Sequence, residues 1–214
     1  MGSDTDFATW DKARWRAELL AARAAVDAAT RAAEASALAA AMPRVLDALD
    51  VQRSGESGES PVIAAYVPVG GEPGSLDMLT ALLAAGTRVV LPVTGPPGPL
   101  RWAEFTGPRE LRRARYGLLE PDGPELPPTV LATAAAILVP ALAVDERGVR
   151  LGRGAGYYDR TLPSVGAGVP LVAVVRDAEV VRRLPEEAHD RRMGWALTPG
   201  RGLSRLAAGP DRPA

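Results

Sequence analysis

Apolar positions in the first 50 residues recur at helical spacing, and the charged residues fall between them. This pattern predicts two alanine- and leucine-rich helices within residues 7–49. We expect Asp6 or Thr9 to cap the first helix and Pro43 to kink or restart the second. The polar stretch 52–60 then predicts a flexible connection.

After this connection the pattern changes to short, wholly apolar runs separated by glycine, proline and helical segments. Such runs predict buried strands, because a strand covered on both faces has no polar side. The predicted strands are 62–67, 87–93, 134–144, 169–175 and 194–197, with a short hairpin around 100–105. Helices are predicted from Ser75 to Ala85 and from about Gly156, and the tail after Gly200 is expected to be frayed.

Buried strands that alternate with helices predict an α/β fold with a mostly parallel sheet covered on both faces. We therefore expect a single three-layer, Rossmann-like domain over residues 1–214, with two N-terminal helices and a flexible tail at 201–214. The proline- and glycine-rich stretch 94–128 is interpreted as loops of this domain. Ligands of such folds bind at loops beyond the carboxyl ends of the strands, so the loop after residue 144 is the first candidate for chemistry.

Composition narrows the chemistry that this fold can carry. The chain has no cysteine and one histidine, which argues against disulfides, thiolate nucleophiles, multi-histidine metal sites and a Ser-His-Asp triad. The net charge of −1 offers no general attraction for nucleic acid or anionic membranes. Because the start of the chain lacks a signal-peptide pattern and no apolar run reaches ~18 residues, we expect a cytoplasmic protein.

One basic residue differs from all the others. Lys12 is the only lysine among 25 basic side chains, and the rest are arginine. This usage is typical of a GC-rich genome, in which lysine codons are scarce. Lys12 is therefore a candidate for a residue kept for its chemistry, and chance is the alternative.

The stretch 140–162 carries the strongest chemical signal. Four glycines between 148 and 156 lie where a strand is predicted to pass into a helix, and glycine lets several backbone amides approach one anion. The helix N-terminus, Arg150 and Arg153 add positive charge, so a phosphate site is predicted. The spacing matches neither the Walker A pattern nor the dinucleotide fingerprint, and a tight turn with solvated arginines is the alternative.

Two tyrosines and an acid follow the glycines directly. Tyr157 and Tyr158 can stack on a heterocycle, and Asp159 can hold Mg²⁺ against phosphates. The alternative for adjacent tyrosines early in a helix is one in the core and one on the surface. Together these signals favour a site for a nucleotide and an aromatic substrate.

This stretch resembles the signature of the 5-formyltetrahydrofolate cyclo-ligase family. The matching residues, in order, are Pro140, Asp145, Gly148, Arg150, Leu151, Gly152, Gly154, Gly156, Tyr157, Tyr158 and Asp159. The similarity extends over roughly residues 10 to 200 and includes 66–68, 115–121 and the pair His189-Asp190. One departure is Ala155, where some family members carry a lysine.

The resemblance implies a site assembled from distant segments. It implies phosphate binding by Lys12 and Arg16, which share one helix face, and nucleotide binding by Arg150, Gly152, Arg153, Gly154, Ala155, Gly156, Tyr157 and Tyr158. It also implies folate contacts for Val67, Glu72, Tyr116 and Tyr158, catalytic roles for Arg153 and Tyr158, and Mg²⁺ binding by Asp159 and Asp190. The alternatives are a solvated helix face for Lys12 and Arg16 and a simple helix cap for Glu72.

The activity that the resemblance implies is ATP- and Mg²⁺-dependent conversion of 5-formyltetrahydrofolate to 5,10-methenyltetrahydrofolate, with release of ADP and phosphate. The substrate is then a reduced formyl folate, with or without a polyglutamate tail. We expect a monomer without nucleic-acid or membrane partners. Two alternatives stay open, namely another ATP-dependent enzyme on the same scaffold and a non-catalytic relative that binds folate or nucleotide.

Overall fold

The computed structural model describes residues 9–51, 60–95, 98–114, 117–187 and 190–207. The helices in these ranges are α1 (Lys12–Ala25), α2 (Ala28–Ala48), α3 (Leu76–Ala84) and α4 (Tyr157–Thr161). The strands are β1 (Val62–Ala64), β2 (Arg88–Val93), β3 (Arg101–Phe105), β4 (Leu111–Arg113), β5 (Leu119–Pro121), β6 (Glu125–Leu126), β7 (Ala136–Pro140), β8 (Ala143–Asp145), β9 (Arg150–Leu151), β10 (Leu171–Val174), β11 (Val180–Val181), β12 (Trp195–Thr198) and β13 (Gly202–Arg205). None of the described helices combines the length and apolarity that a membrane crossing requires.

An eight-stranded sheet forms the centre of the described structure. Its order is β13-β12-β10-β7-β1-β2-β3-β6. The five strands from β12 to β2 are parallel, while β13, β3 and β6 pair antiparallel at the two edges. Central strands such as β10 are buried along their whole length, because both faces of the sheet are covered. The predicted α/β fold with a mostly parallel sheet is therefore confirmed.

The two faces of this sheet are covered by different layers. On one face, Met42 of α2 and Met78 of α3 pack into a core with strand residues such as Leu91. On the other face, Val139 of β7 packs with Leu162, which follows α4 directly. Strand residues alternate between these cores because successive side chains point to opposite sides.

The helix α1 packs on a second, three-stranded sheet instead of the main sheet. This small sheet has the order β11-β8-β9. Trp15 and Leu19 of α1 form a third core with Leu142 and Leu151. The two predicted N-terminal helices are thus present, but they support different sheets.

The prediction of one strand over residues 134–144 is wrong. β7 ends at Pro140, and the chain enters the small sheet from Ala143. Leu142 N donates to Leu151 O at 2.8 Å, so its backbone is already paired with β9. A continuous apolar run therefore crosses from one sheet to another, which local hydrophobicity does not distinguish.

The helix boundaries at the start of the chain also differ from expectation. Asp11 caps α1, since its side chain accepts a hydrogen bond from Arg14 N at 2.8 Å; the proposed cap at Thr9 is wrong, and Asp6 lies outside the described residues. Pro43 lies inside α2, which does not restart there.

Two further corrections concern antiparallel pairing at the sheet edges. The predicted hairpin at 100–105 is one strand, β3, which pairs with β2 from Val89↔Phe105 to Val93↔Arg101. The expected fraying of the tail is wrong for 202–205, which pairs with β12, and the next residue, Leu206, is buried. Residues 208–214 and 52–59 lie outside the described ranges.

Candidate active site

A cavity of about 230 Å³ lies where the carboxyl ends of β1, β2 and β7 meet the glycine-rich loop. This is the edge at which open α/β sheets bind ligands. Eleven of the residues predicted to contact a ligand line it, namely Val67, Glu72, Arg150, Gly152, Arg153, Gly154, Ala155, Gly156, Tyr157, Tyr158 and Asp159. The structure thus brings together the predicted loop and most of the predicted folate contacts.

Backbone geometry explains why glycine occurs around this loop. Gly156 is the N-cap of α4 and has a left-handed φ of 70°. Gly148 has a φ of 88°, and a Cβ on it would lie 2.2 Å from the carbonyl oxygen of Met193. Met193 N in turn donates to Gly148 O at 2.7 Å. This close approach joins the glycine-rich stretch to the segment that carries Asp190.

The buried carboxylate of Asp145 fixes the start of the stretch. Asp145 is fully buried and accepts hydrogen bonds from the backbone amides of Arg147, Val149 and Leu184. It also forms an ion pair with the Arg147 guanidinium at 2.7 Å. One carboxylate therefore holds the turn between β8 and β9 against a distant segment, which accounts for an acid at this point of the sequence signature.

Tyr158 supplies an unpaired hydroxyl to the cavity. Its ring packs against the core beneath the sheet, and the Arg150 guanidinium lies 5.7 Å from the ring centroid. Its Oη is buried and has no hydrogen-bond partner within the described part of the chain. Burial raises the pKa of Tyr158 against the opposing charge of Arg150, so the phenol stays a neutral donor. A buried donor without a partner is costly, and a ligand acceptor would remove that cost.

Tyr157 and Tyr158 both line the cavity, and Tyr158 also packs against the core, as the alternative for adjacent tyrosines expects of one of the two. Tyr157 is covered by the guanidinium of Arg160, 5.4 Å from its ring centroid. Arg160 also donates to Ala155 O at 2.9 Å. The side chain thus ties the loop backbone to the tyrosine that follows it.

Glu72 faces Arg153 in the cavity lining. Its Oε2 accepts Val69 N at 3.0 Å, and its Oε1 lies 3.4 Å from Arg153 Nε. Burial raises the pKa of Glu72, although the Val69 amide and the Arg153 charge oppose this. Since Ser75 is the N-cap of α3, the alternative that Glu72 is a simple helix cap is wrong. Glu72 is therefore a carboxylate with raised proton affinity beside a cation.

Four charged residues, which we call the rim, lie next to the glycine loop and outside the cavity lining: Lys12, Arg16, Glu187 and Asp190. Lys12 Nζ lies 3.0 Å from both Asp190 Oδ2 and Glu187 Oε1. Arg16 Nε donates to Gly152 O at 3.0 Å. Burial disfavours the charge of Lys12, but its hydrogen bonds to Asp190 and Glu187 outweigh this and raise its pKa. Lys12 and Arg16 contact distant segments, so the alternative of a solvated helix face is wrong.

The two predicted Mg²⁺ ligands lie in different surroundings. Asp159 lines the cavity, is partly exposed and forms a charged hydrogen bond with Arg150. Asp190 belongs to the rim and binds Lys12. Within the described ranges no group of three or more His, Asp or Glu side chains could hold a metal ion. Mg²⁺ bound largely by phosphate oxygens needs only one or two protein carboxylates, and Asp159 fits that requirement.

Two positions that the sequence analysis names, Tyr116 and His189, lie outside the described residues. Conversely, part of the cavity lining is formed by residues that the sequence analysis does not predict. The unpredicted wall is formed mainly by β2, β5 and the chain between β2 and β3, with the lining residues Pro92, Thr94, Leu100, Leu118, Leu119 and Glu120. The sequence signal available for this wall was the similarity over 115–121.

The comparison with known families decides the assignment. The sequence pattern of the 5-formyltetrahydrofolate cyclo-ligase family matches residues 8–199, a range that contains the whole cavity lining and the rim.

The chain belongs to this family.

Individual relatives agree with that assignment. A 5-formyltetrahydrofolate cyclo-ligase from Mycolicibacterium smegmatis is 44% identical over 200 residues, which cover 91% of this chain and 97% of that protein. A cyclo-ligase from Escherichia coli is 31% identical over 142 residues, which cover 65% of this chain and 78% of that protein. The membership of the cyclo-ligase family that the glycine loop predicts is thus confirmed by relatives that cover most of the chain.

Solved structures show the same fold. The NMR structure of Aquifex aeolicus 5,10-methenyltetrahydrofolate synthetase is similar with a TM-score of 0.69 at 26% identity, over 95% of this chain and 96% of that one. A 5,10-methenyltetrahydrofolate synthetase from Mycoplasma pneumoniae has a TM-score of 0.66 at 17% identity, over 87% of this chain and 98% of that one. The second likeness carries information about the fold alone.

Proposed function

We infer that this chain is a 5-formyltetrahydrofolate cyclo-ligase, which uses ATP to form 5,10-methenyltetrahydrofolate, ADP and phosphate. The observation that carries this inference is the 44% identity to a cyclo-ligase over nearly the full length of both proteins. The cavity supports it, because its lining combines a glycine- and arginine-rich loop with apolar side chains and the carboxylates of Glu72, Glu120 and Asp159. Such a space suits a phosphate donor and a heterocyclic acceptor together.

The reaction needs two bond exchanges in one site. The formyl oxygen attacks the γ-phosphorus of ATP, and the bond from that phosphorus to the ADP oxygen breaks. N10 then attacks the activated formyl carbon and loses its proton, while the carbon–oxygen bond to phosphate breaks. Neither exchange requires a covalent bond to the protein, so the contribution of the chain is positioning and the neutralisation of charge.

We assign the phosphate side of the site to the loop and the rim. Arg153 lies in the cavity lining at the point where the glycine loop faces Glu72. Arg16 contacts the loop at Gly152, and Lys12 lies one turn before Arg16 on the same helix face. Their fixed positive charges would neutralise the phosphate oxygens during transfer.

We propose that Glu72 accepts the proton that N10 loses during ring closure. A general base works best when its pKa approaches the working pH, and burial moves the pKa of Glu72 in that direction. The neutral hydroxyl of Tyr158 would donate to an acceptor on the ligand, since it has no partner among the described residues. These roles extend the substrate contacts proposed for Val67, Glu72 and Tyr158.

Mg²⁺ is proposed as a partner of the nucleotide. The ion would supply positive charge to the transferred phosphate, and Asp159 is the carboxylate of the cavity edge that would hold it. Asp159 is bonded to Arg150 and Asp190 to Lys12, so each would hold the ion through its other oxygen or after release from that cation. In Asp159→Asn we expect a higher Mg²⁺ requirement in a titration at fixed ATP, whereas Asp122→Asn, at an exposed position outside the cavity lining, should match the wild type.

One assay tests the activity and separates the alternatives. Purified protein is mixed with 5-formyltetrahydrofolate, ATP and Mg²⁺, and the absorbance of the methenyl product is followed, with reactions lacking ATP as controls. ATP-dependent product confirms the proposal. Phosphate release without methenyl product favours another ATP-dependent enzyme, and binding of both ligands without turnover favours a non-catalytic relative.

Two expectations about the whole protein remain proposals. We propose that the working unit is a monomer. Sedimentation equilibrium of the active protein tests this, and activity that depends on a dimer would contradict it. The cytoplasmic location expected from the sequence also stays a prediction.

A further inference from the structure

Glu120 is a buried carboxylate in the cavity lining to which none of the roles above applies. It lies in the middle of β5, is 3% exposed and lines the same cavity as Glu72 and Tyr158. Its Oε1 accepts a hydrogen bond from Thr94 N at 2.7 Å. Arg112 Nη2 lies 3.8 Å from its Oε2, which is beyond hydrogen-bonding distance.

The described surroundings of Glu120 satisfy only part of its bonding capacity. A carboxylate offers about four lone-pair sites, and the backbone amide of Thr94 occupies one of them. Arg112 is half exposed, and its Nε lies 3.0 Å from Asp122 Oδ1. Its main partner is therefore Asp122 and not Glu120. Removal of a charged carboxylate from water is costly unless further donors replace the lost water. A ligand in the cavity is the expected source of those donors.

The proposed substrate carries donors in the required arrangement. The aminopyrimidinone ring of a reduced folate has a ring N–H beside an exocyclic amino N–H, and two parallel donors match the two oxygens of a carboxylate. This edge lies on the opposite side of the bicyclic ring from N5, which carries the formyl group. When the formyl group faces the phosphate loop, the donor edge therefore faces away from that loop.

Glu120 comes from a different part of the fold from the phosphate loop. It comes from β5 and is bonded to Thr94, which follows β2, whereas Arg153 and Tyr158 come from the glycine loop and α4. Pro92, at the end of β2, lines the same wall and offers an apolar surface to a flat ring. Glu72 is a weaker candidate for this role, because its two oxygens already face the Val69 amide and Arg153.

We propose that Glu120 binds the aminopyrimidinone edge of the folate substrate and so determines specificity for the pterin ring. The proposal rests on the function proposed above, because it takes the ligand of the cavity to be a reduced folate. It assigns the two glutamates of the cavity lining to different parts of one molecule. Glu120 recognises the edge far from the reaction, and Glu72 serves the reacting nitrogen.

The variant Glu120→Gln tests the proposal with little change in shape. Its amide oxygen can still accept the Thr94 hydrogen bond, but it loses the charge and one acceptor. We expect the KM for 5-formyltetrahydrofolate to rise about 10- to 100-fold, as for loss of a charged hydrogen bond, with the KM for ATP changed less than about twofold. The matched control is Glu125→Gln, an exposed glutamate that pairs with Arg101 outside the cavity lining and should behave as wild type.

A substrate analogue separates recognition from a purely structural role. In this analogue a methyl group replaces the exocyclic amino group, so one donor of the edge is absent. The wild type should bind the analogue at least about tenfold more weakly than the natural folate, and Glu120→Gln should show a much smaller difference between the two. Equal binding of both folates by the wild type overturns the proposal, even where the variant fails to fold.

The remaining outcomes distinguish this proposal from the proposed function. A folded Glu120→Gln variant with a lower melting temperature but an unchanged KM shows that Glu120 only supports the wall, and it overturns the proposal. Absence of methenyl product from the wild type is a failure of the proposed function instead. In that case calorimetric titration of the two folates still measures whether Glu120 recognises the amino edge.

Discussion

The rim and the cavity lining present their polar groups in opposite ways. In the rim, Lys12 is bound to Asp190 and Glu187, and Arg16 is bound to a loop carbonyl. In the cavity lining, the Tyr158 hydroxyl has no partner in the described part of the chain, and the bonding capacity of Glu120 is only partly used. The two cations of the rim thus have protein partners before any ligand binds, whereas these two groups of the lining still have bonds to form.

This difference determines how each region can bind. A phosphate that approaches the rim must exchange places with an acid that is already there, so the net gain is the difference between two ionic arrangements. A heterocycle that enters the cavity forms hydrogen bonds that were missing, for example to the Tyr158 hydroxyl. We therefore expect moderate, salt-sensitive effects on ATP from the rim and larger effects on turnover and folate from the cavity lining.

The largest effect on stability is expected at the contact between Gly148 and Met193, which joins the glycine-rich stretch of the cavity to the segment that carries Asp190 of the rim. In Gly148→Ala, the new Cβ would meet the Met193 carbonyl oxygen and the residue would keep a strained positive φ, so we expect a loss of about 3 kcal/mol or more in the free energy of unfolding. Urea denaturation measures this. The control is Gly123→Ala, where a Cβ meets no heavy atom within 4 Å. Wild-type stability in Gly148→Ala would show that the two regions are not tightly joined.

In the cavity lining, Glu72→Gln should lower kcat by about 100-fold, because a general base is lost. Burial raises the pKa of Glu72, so the wild-type rate should fall as the pH falls through a value above the ordinary glutamate range. That acid limb should be absent from the variant. A pH profile of kcat checks both points, and Glu104→Gln, which removes only an ion pair with Arg88, is the control. An unchanged acid limb in Glu72→Gln would assign the titration to another group.

In the rim, Lys12→Ala should raise the KM for ATP by about 10- to 100-fold and change the KM for folate little. Part of the loss is offset because Asp190 and Glu187 no longer need to be displaced from the lysine. The control is Arg14→Ala on the same helix, whose guanidinium stacks on Trp10. An ATP affinity equal to that of the wild type would remove Lys12 from the phosphate site.

The smallest effect is expected from Ala155→Lys, which adds the charge that some relatives carry. Ala155 is exposed and lines the cavity, so a longer side chain can reach solvent without displacing the core. We expect ATP binding to tighten about two- to fivefold, an advantage that shrinks with added salt, at an unchanged melting temperature. Weaker ATP binding together with a lower melting temperature would contradict the phosphate-loop interpretation.

The glycine loop and the wall formed by β2, β5 and the chain between β2 and β3 also differ in how far the sequence predicts them. The glycine loop is contiguous, and each of its residue types has a direct chemical meaning, so the sequence alone indicates residues such as Arg153 and Tyr158. The wall depends on β2, β3 and β5, which meet through antiparallel pairing and packing. No local pattern around Thr94 or Glu120 states that the two residues touch.

The same physical reason explains the errors in the fold. The tail contains glycine, arginine and proline and is typical of a loop, yet 202–205 forms a strand because β12 offers an unpaired edge. The run 134–144 is uniformly apolar, so its division between two sheets depends on partners that are distant in sequence. The helices and the central strands were predicted because their patterns are local.

The Lys12–Asp190 contact also bears on the end of the catalytic cycle. A cation that holds phosphate tightly slows the departure of ADP, and release is often the slow step of such enzymes. Asp190 provides a tethered anion at a fixed distance of 3.0 Å from the lysine nitrogen. If Lys12 binds phosphate as proposed, this carboxylate competes with the product for the same charge and favours emptying of the site between turnovers.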